Sequence, residues 1–163
     1  MAREIQEREM ILCLDPGKKV AGVSLWEDKE LTTAWLARGN TWAETADNVI
    51  EKIPVSAVLI QTIVIERMQI RKDSKRPADL VELLLMSGRV TGRLPRCRIV
   101  EYEPHNWKGG TPKKIMTERI LSKLSKDERD RIEKPKAMSL FHNTVDAVGI
   151  GVRFTRGPHA LGK

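Results

Sequence analysis

Twice along this chain a short run of apolar residues ends directly on a carboxylate. Met10-Ile11-Leu12-Cys13-Leu14 stops at Asp15, ahead of Pro16-Gly17, and Ile63-Val64-Ile65 stops at Glu66. Apolar runs of this length, bounded by turn residues, read as buried strands, so each acid closes a strand beside the core. Between the two, Val20–Trp26 and Leu31–Leu36 form two more strand-like segments around the turn Glu27-Asp28-Lys29. That makes three antiparallel strands in succession. The period then changes. Thr41 is an N-cap with Glu44 at capping-box spacing, and Trp42, Ala46, Val49, Ile50 and Ile53 share a helical face until Pro54 stops the run. Ala57 to Ile65 is the fourth strand.

The second half continues the alternation. Residues 67–76 hold five basic side chains and read as a loop. Pro77 opens a helix in which Leu80, Leu83, Leu84, Ser87, Gly88 and Thr91 recur at spacings of three and four, to about Arg93. Gly88 and Gly92 within it leave room for close approach of another backbone. Arg98–Tyr102 is a fifth strand, followed by a Pro/Gly-rich basic segment from Glu103 to Lys114. Ile115–Leu124 is helical, Asp127–Ile132 adds a turn, and a last helix starts near Leu140 and passes through Val152. The tail from Gly157 is expected to fray. Early hairpins with later alternation predict an α/β fold: a mixed five-stranded sheet, three antiparallel then two parallel strands, with helices on both faces. A length of 163 residues suits one domain over 1–163, with flexible ends at 1–8 and 157–163.

Charge narrows the function. There are 29 basic against 22 acidic residues, a net of +7. Residues 1–65 carry 7 basic and 10 acidic side chains, and residues 66–163 carry 22 and 12. A basic surface of this kind attracts polyanions, nucleic acid foremost. No apolar stretch approaches the roughly 18 residues of a membrane helix, and the first nine residues lack the apolar centre of a signal peptide. Two cysteines, Cys13 and Cys97, read as small buried hydrophobes in a reducing cytoplasm.

Three acids occupy costly positions: Asp15, Glu66, and Asp146, which lies among Val145, Ala147, Val148 and Ile150. An unpaired carboxylate in apolar surroundings costs on the order of several kcal/mol, so a basic partner or a bound cation must offset it. Singly, Asp15 can be a turn former, Glu66 can pair with Arg67 or Arg71, and Asp146 can be a partly exposed helix residue. Together they suit Mg²⁺, which takes carboxylate oxygens and leaves room for phosphate. Such a cluster can hold two ions about 4 Å apart.

At four points, in order, the sequence resembles the RuvC-type Holliday-junction resolvases of the RNase H-like superfamily. Ile11–Gly17 with Gly22 is similar to the family's opening strand and aspartate, and Ile63–Glu66 to its strand ending in a glutamate. Pro104-His105-Asn106-Trp107-Lys108-Gly109 is similar to its Pro-x-x-x-Lys segment, and His142-Asn143-Thr144-Val145-Asp146-Ala147 to the opening of its last helix. The resemblance spans residues 10–152. It implies a bacterial or phage cytoplasmic enzyme that cuts four-way DNA by paired symmetric nicks, with two Mg²⁺ ions per site (Mn²⁺ substituting). Asp15, Glu66 and Asp146 would be the metal ligands. His142 is favoured over Asn143 as the fourth ligand or water-orienting group, because imidazole can serve either role better than an amide. Lys108 would lie near the scissile phosphate, with Lys113 or Lys114 as a second basic contact. Arg67, Met68, Gln69, Ile70, Arg71, Lys72, Lys75 and Arg76 would meet DNA. No aromatic wedge stands in that stretch, and Met68 or Ile70 is its apolar candidate. Pro77–Arg93 would be the helix of a homodimer. Two other readings share the same residues: an RNA-cutting nuclease, and a branched-DNA-binding module whose acids are structural.

Overall fold

The computed structural model describes residues 8–55, 59–68, 77–94 and 96–162. Five strands form one sheet: β1 (Met10–Asp15), β2 (Val20–Glu27), β3 (Glu30–Arg38), β4 (Ile60–Glu66) and β5 (Arg98–Tyr102), in the order β3-β2-β1-β4-β5. β1, β2 and β3 pair antiparallel, whereas β1–β4 and β4–β5 pair parallel. This is the predicted mixed sheet, and β1 and β4 lie side by side at its centre. Among the described residues six α-helices accompany it: α1 (Trp42–Glu51), α2 (Pro77–Gly92), α3 (Pro104–Trp107), α4 (Lys113–Ser122), α5 (Lys126–Asp130) and α6 (Phe141–Arg156). Among the described residues no helix is long and apolar enough to cross a membrane.

The side-chain period of two sorts each strand into two cores. Leu12, Leu14, Val23, Leu25, Ile63 and Ile65 face one side, where Ala46 and Val49 of α1 and Met86 and Val90 of α2 complete the cluster. Ile11, Cys13, Trp26 and Val64 face the other, against Ile120 of α4 and Val145, Val148 and Val152 of α6. Each Val, Leu, Ile or Met among them, fully buried, contributes about 1.5–3 kcal/mol. Asp15 continues the row of Ile11 and Cys13, and Glu66 continues the row of Val64. Both therefore stand on the α6 side of the sheet.

Small residues bring α6 close. Gly22 is the register partner of Asp15, and a Cβ there would collide with the backbone carbonyl of Asn143. Ser24, next but one along β2, donates from its hydroxyl to the Ala147 carbonyl at 2.8 Å. On the other face α1 is capped as predicted: the Thr41 hydroxyl accepts from the Glu44 amide at 3.2 Å. The Glu44 carboxylate reaches back to the amide of Asn40, one residue beyond the usual capping-box partner.

Three expectations need correction. α2 turns Met86 and Val90 inward, and Leu84 of the predicted stripe is 54% exposed, beside exposed Val81 and Leu85. Helical spacing cannot choose between neighbouring apolar stripes on one helix. Among the described residues Gly88 and Gly92 approach no other backbone: a Cβ at either would meet nothing within 4 Å. The tail expected to fray packs back instead, since Gly157 turns the chain at φ 96° and Leu161 is buried in the α6-side core. The basic segment after β5 also contains the short helix α3, begun by Pro104.

Candidate active site

Three elements carry the site. Asp15 and Glu66 close adjacent parallel strands at the same end and on the same face. α6 lies across that face, brought in by Gly22, and presents Asp146 from its second turn. The fourth contributor is α3. Its C-cap, Lys108, extends its ammonium to 3.0 Å from Glu66 Oε2 and 3.4 Å from Asp146 Oδ2. One lysine thus bridges two acids that stand 80 residues apart in sequence.

The electrostatics follow from this crowding. The Asp15 carboxyl is held well above its ordinary pKa, first by burial and then by the charges of Glu66 and Asp146. Lys108 and Lys113 oppose that shift without overcoming it. Burial works against the charged form of Lys108, but Asp146, Glu66 and Asp15 together outweigh it and raise its pKa. The site therefore carries more negative charge than one ammonium neutralises.

Among the described residues, no group of three or more His, Cys, Asp or Glu side chains converges closely enough to hold an ion as it lies. Glu66 and Asp146 turn to Lys108 instead. The chemistry of the donor set nevertheless fits a hard divalent cation: three carboxylates, mutually repelling, with a positive group already drawn between two of them.

The other sequence candidates fall as follows. His142 sits in the first turn of α6, and its Nδ1 donates to the Ser139 carbonyl at 2.7 Å, which leaves Nε2 as its acceptor nitrogen. Asn143 touches the sheet through its backbone beside Gly22. Of the two lysines left open, Lys113 is the one whose charge acts on Asp15; both are exposed on α4. Arg67 continues from β4, its amide donating to the Tyr102 carbonyl at 2.7 Å. Arg67 and Met68 line a groove with Leu80, Leu84 and Ile99. Gln69, Ile70, Arg71, Lys72, Lys75 and Arg76 lie outside the described residues. Among the described residues Glu66 pairs with Lys108 and Trp107 and not with Arg67, and Arg71, its other sequence candidate, lies outside the described residues. The indole Nε1 of Trp107 donates to Glu66 Oε2 at 2.8 Å. Trp107 was not singled out from sequence, although it stands inside the Pro-x-x-x-Lys segment. A tryptophan directly before the lysine, in an otherwise polar stretch, was the available signal.

No family model and no curated protein sequence matches the chain. Solved structures do. The chain superposes on Thermus thermophilus RuvC with a TM-score of 0.56 at 10% identity, covering 88% of this chain and 91% of that one. Against Thermus thermophilus RuvC in complex with Holliday junction substrate the values are 0.50 and 11%, covering 88% and 90%. Against the yeast mitochondrial Holliday junction resolvase Ydc2 they are 0.55 and 10%, covering 94% and 82%. At such identities the likeness is one of fold. The fold is the RNase H-like sheet of RuvC-type resolvases, over nearly the whole chain.

Proposed function

We propose that this protein is a divalent-metal-dependent endonuclease that resolves four-way DNA junctions. The assembly of Asp15, Glu66 and Asp146 around Lys108, at the ends of two adjacent parallel strands in a RuvC fold, carries the reading. Asp15, Glu66 and Asp146 would supply the oxygens for two Mg²⁺ or Mn²⁺ ions, with His142 offering Nε2 as a further ligand or water partner. Bound there, the ions supply Lewis acidity to the attacking water and the leaving oxygen. Lys108 holds positive charge at the acids until a phosphate arrives, then offers its ammonium to that phosphate. Lys113, Arg67 and the basic stretch through Arg76 guide the DNA backbone. Hydrolysis leaves a 5′-phosphate and a 3′-hydroxyl.

A homodimer through α2 supplies the second nick. Val81, Leu84 and Leu85 on α2, with Ile99 nearby on β5, are large apolar side chains left exposed by the single chain. A two-fold pair of active sites matches a two-fold junction.

The test is cleavage of a defined four-way junction, mapped to the nucleotide, with and without Mg²⁺. Symmetric metal-dependent nicks are expected. Asp15→Asn and Glu66→Gln should lower the nicking rate by at least about a thousandfold, the scale of losing a catalytic group, while junction binding persists in a gel-shift assay. Undiminished cutting by Asp15→Asn would remove the site assignment. An RNA hairpin cut faster than the junction would move the substrate to RNA.

A further inference from the structure

The indole of Trp107 makes a contact that its burial alone does not require. The ring is 5% exposed and seats against α6 at Gly149, where a Cβ would lie 2.6 Å from the ring edge and 2.6 Å from Ile120. Gly149 follows Asp146 by one helical turn, so the glycine that admits the ring belongs to the same face of α6 as the acid. An indole has a single N–H and no acceptor. Trp107 spends that donor on Glu66 Oε2 at 2.8 Å, the same oxygen that meets the Lys108 ammonium. That ammonium in turn lies 4.8 Å from the centroid of the Trp107 ring, within cation–π range. One side chain therefore touches both the acid and the lysine that faces it.

We infer that Trp107 is a positioning residue for Glu66: its N–H fixes Oε2, leaving Oε1 to face a cation, while its ring restrains Lys108. The inference rests on the nuclease reading above. A neutral donor suits this role. It fixes a carboxylate without cancelling the charge that attracts a metal, as hydrogen-bond donors to metal-binding carboxylates do elsewhere. Lys108 alone could not hold Glu66 in place once it moved to a phosphate.

Two variants separate the hydrogen bond from packing. Trp107→Phe keeps an aromatic ring and removes the donor. Replacing Trp107 by benzothienylalanine, a near-isostere with sulfur in place of N–H, removes the donor and little else. Calorimetric titration of Mn²⁺ into the DNA-free protein should show about tenfold weaker uptake for both variants, the scale of losing an outer-shell partner. Single-turnover nicking should slow to a similar degree, with the half-saturating junction concentration unchanged. Wild-type Mn²⁺ affinity in the benzothienylalanine protein overturns the inference, whatever Trp107→Phe does and even if Trp107→Phe fails to fold. Wild-type protein that takes up no Mn²⁺ or leaves the junction uncut ends the nuclease reading itself, and this inference with it.

Discussion

Among the described residues, two regions bury carboxylates, and they treat them in opposite ways. Glu128, on α5, is 5% exposed. Its oxygens accept from the backbone amides of Leu31 at 3.1 Å and Ser125 at 2.8 Å, and they pair with Arg156. Burial pushes its pKa up, but the Ser125 and Leu31 amides and Arg156 outweigh burial and hold it below the ordinary value. At the ends of β1 and β4 the balance runs the other way. There burial and neighbouring acids keep Asp15 well above its ordinary value, and the nearby lysines do not restore it. Burial of an acid therefore does not mark a functional site. What marks it is a shortage of positive partners, which only something from outside the chain can supply.

The comparison can be broken from either side. The largest stability effect belongs to Glu128. Glu128→Ala strands Arg156 and two amides and should cost about 3–5 kcal/mol, the scale of removing one partner of a buried pair; urea denaturation measures it. Its pH dependence has a definite sign. Glu128 titrates lower in the folded chain than its ordinary value of 4.5, so its stabilisation is present above that pH and is lost as pH falls below it. Glu128→Gln should flatten that acid limb of the stability profile. A profile with the same slope would mean that Glu128 is not the saturated partner described.

Gly22→Ala comes next. Its Cβ must displace the Asn143 backbone, so α6 shifts at its start, at a cost of about 1–3 kcal/mol. Because Asp146 rides on α6, junction nicking should fall by more than the stability loss explains. Thermal melting and single-turnover rates on one preparation separate the two effects.

The smallest effect is also the most telling. In metal-free protein Asp15→Asn relieves repulsion from Glu66 and Asp146, and should raise stability by about 1 kcal/mol, as functional sites often allow. Any destabilisation of several kcal/mol would place Asp15 in the same class as Glu128.

Much of this was legible before any coordinate. The apolar runs of β1 and β4 place Asp15 and Glu66 at strand ends. Neither run alternates in polarity, so it is the pairing of β1 with β4 that puts both acids on one face. Pro16-Gly17 follows β1 directly, whereas α1 ends at Glu51, two residues short of the Ile53 that the helical pattern reached before Pro54. The choice of face for α2 was not legible, since two apolar stripes compete on one helix and only packing against α1 selects between them. The Asp47–Arg89 ion pair, with bonds of 2.7 and 2.8 Å, helps fix that choice.

The sequence by itself determined the succession of five strands and the longer helices, the strand ends on which Asp15 and Glu66 stand, and a basic second half suited to a polyanion. These depend on local periodicity and on charge, which adjacent residues are enough to state. Only the tertiary structure decided that Lys108 stands between Glu66 and Asp146, that Trp107 holds Glu66, and that Glu128 is fully served by its surroundings. Apart from the local Ser125–Glu128 capping bonds, each of those contacts joins residues at least 25 positions apart. Their partners are chosen by how α3, α5 and α6 pack on the sheet, and no local pattern records that choice.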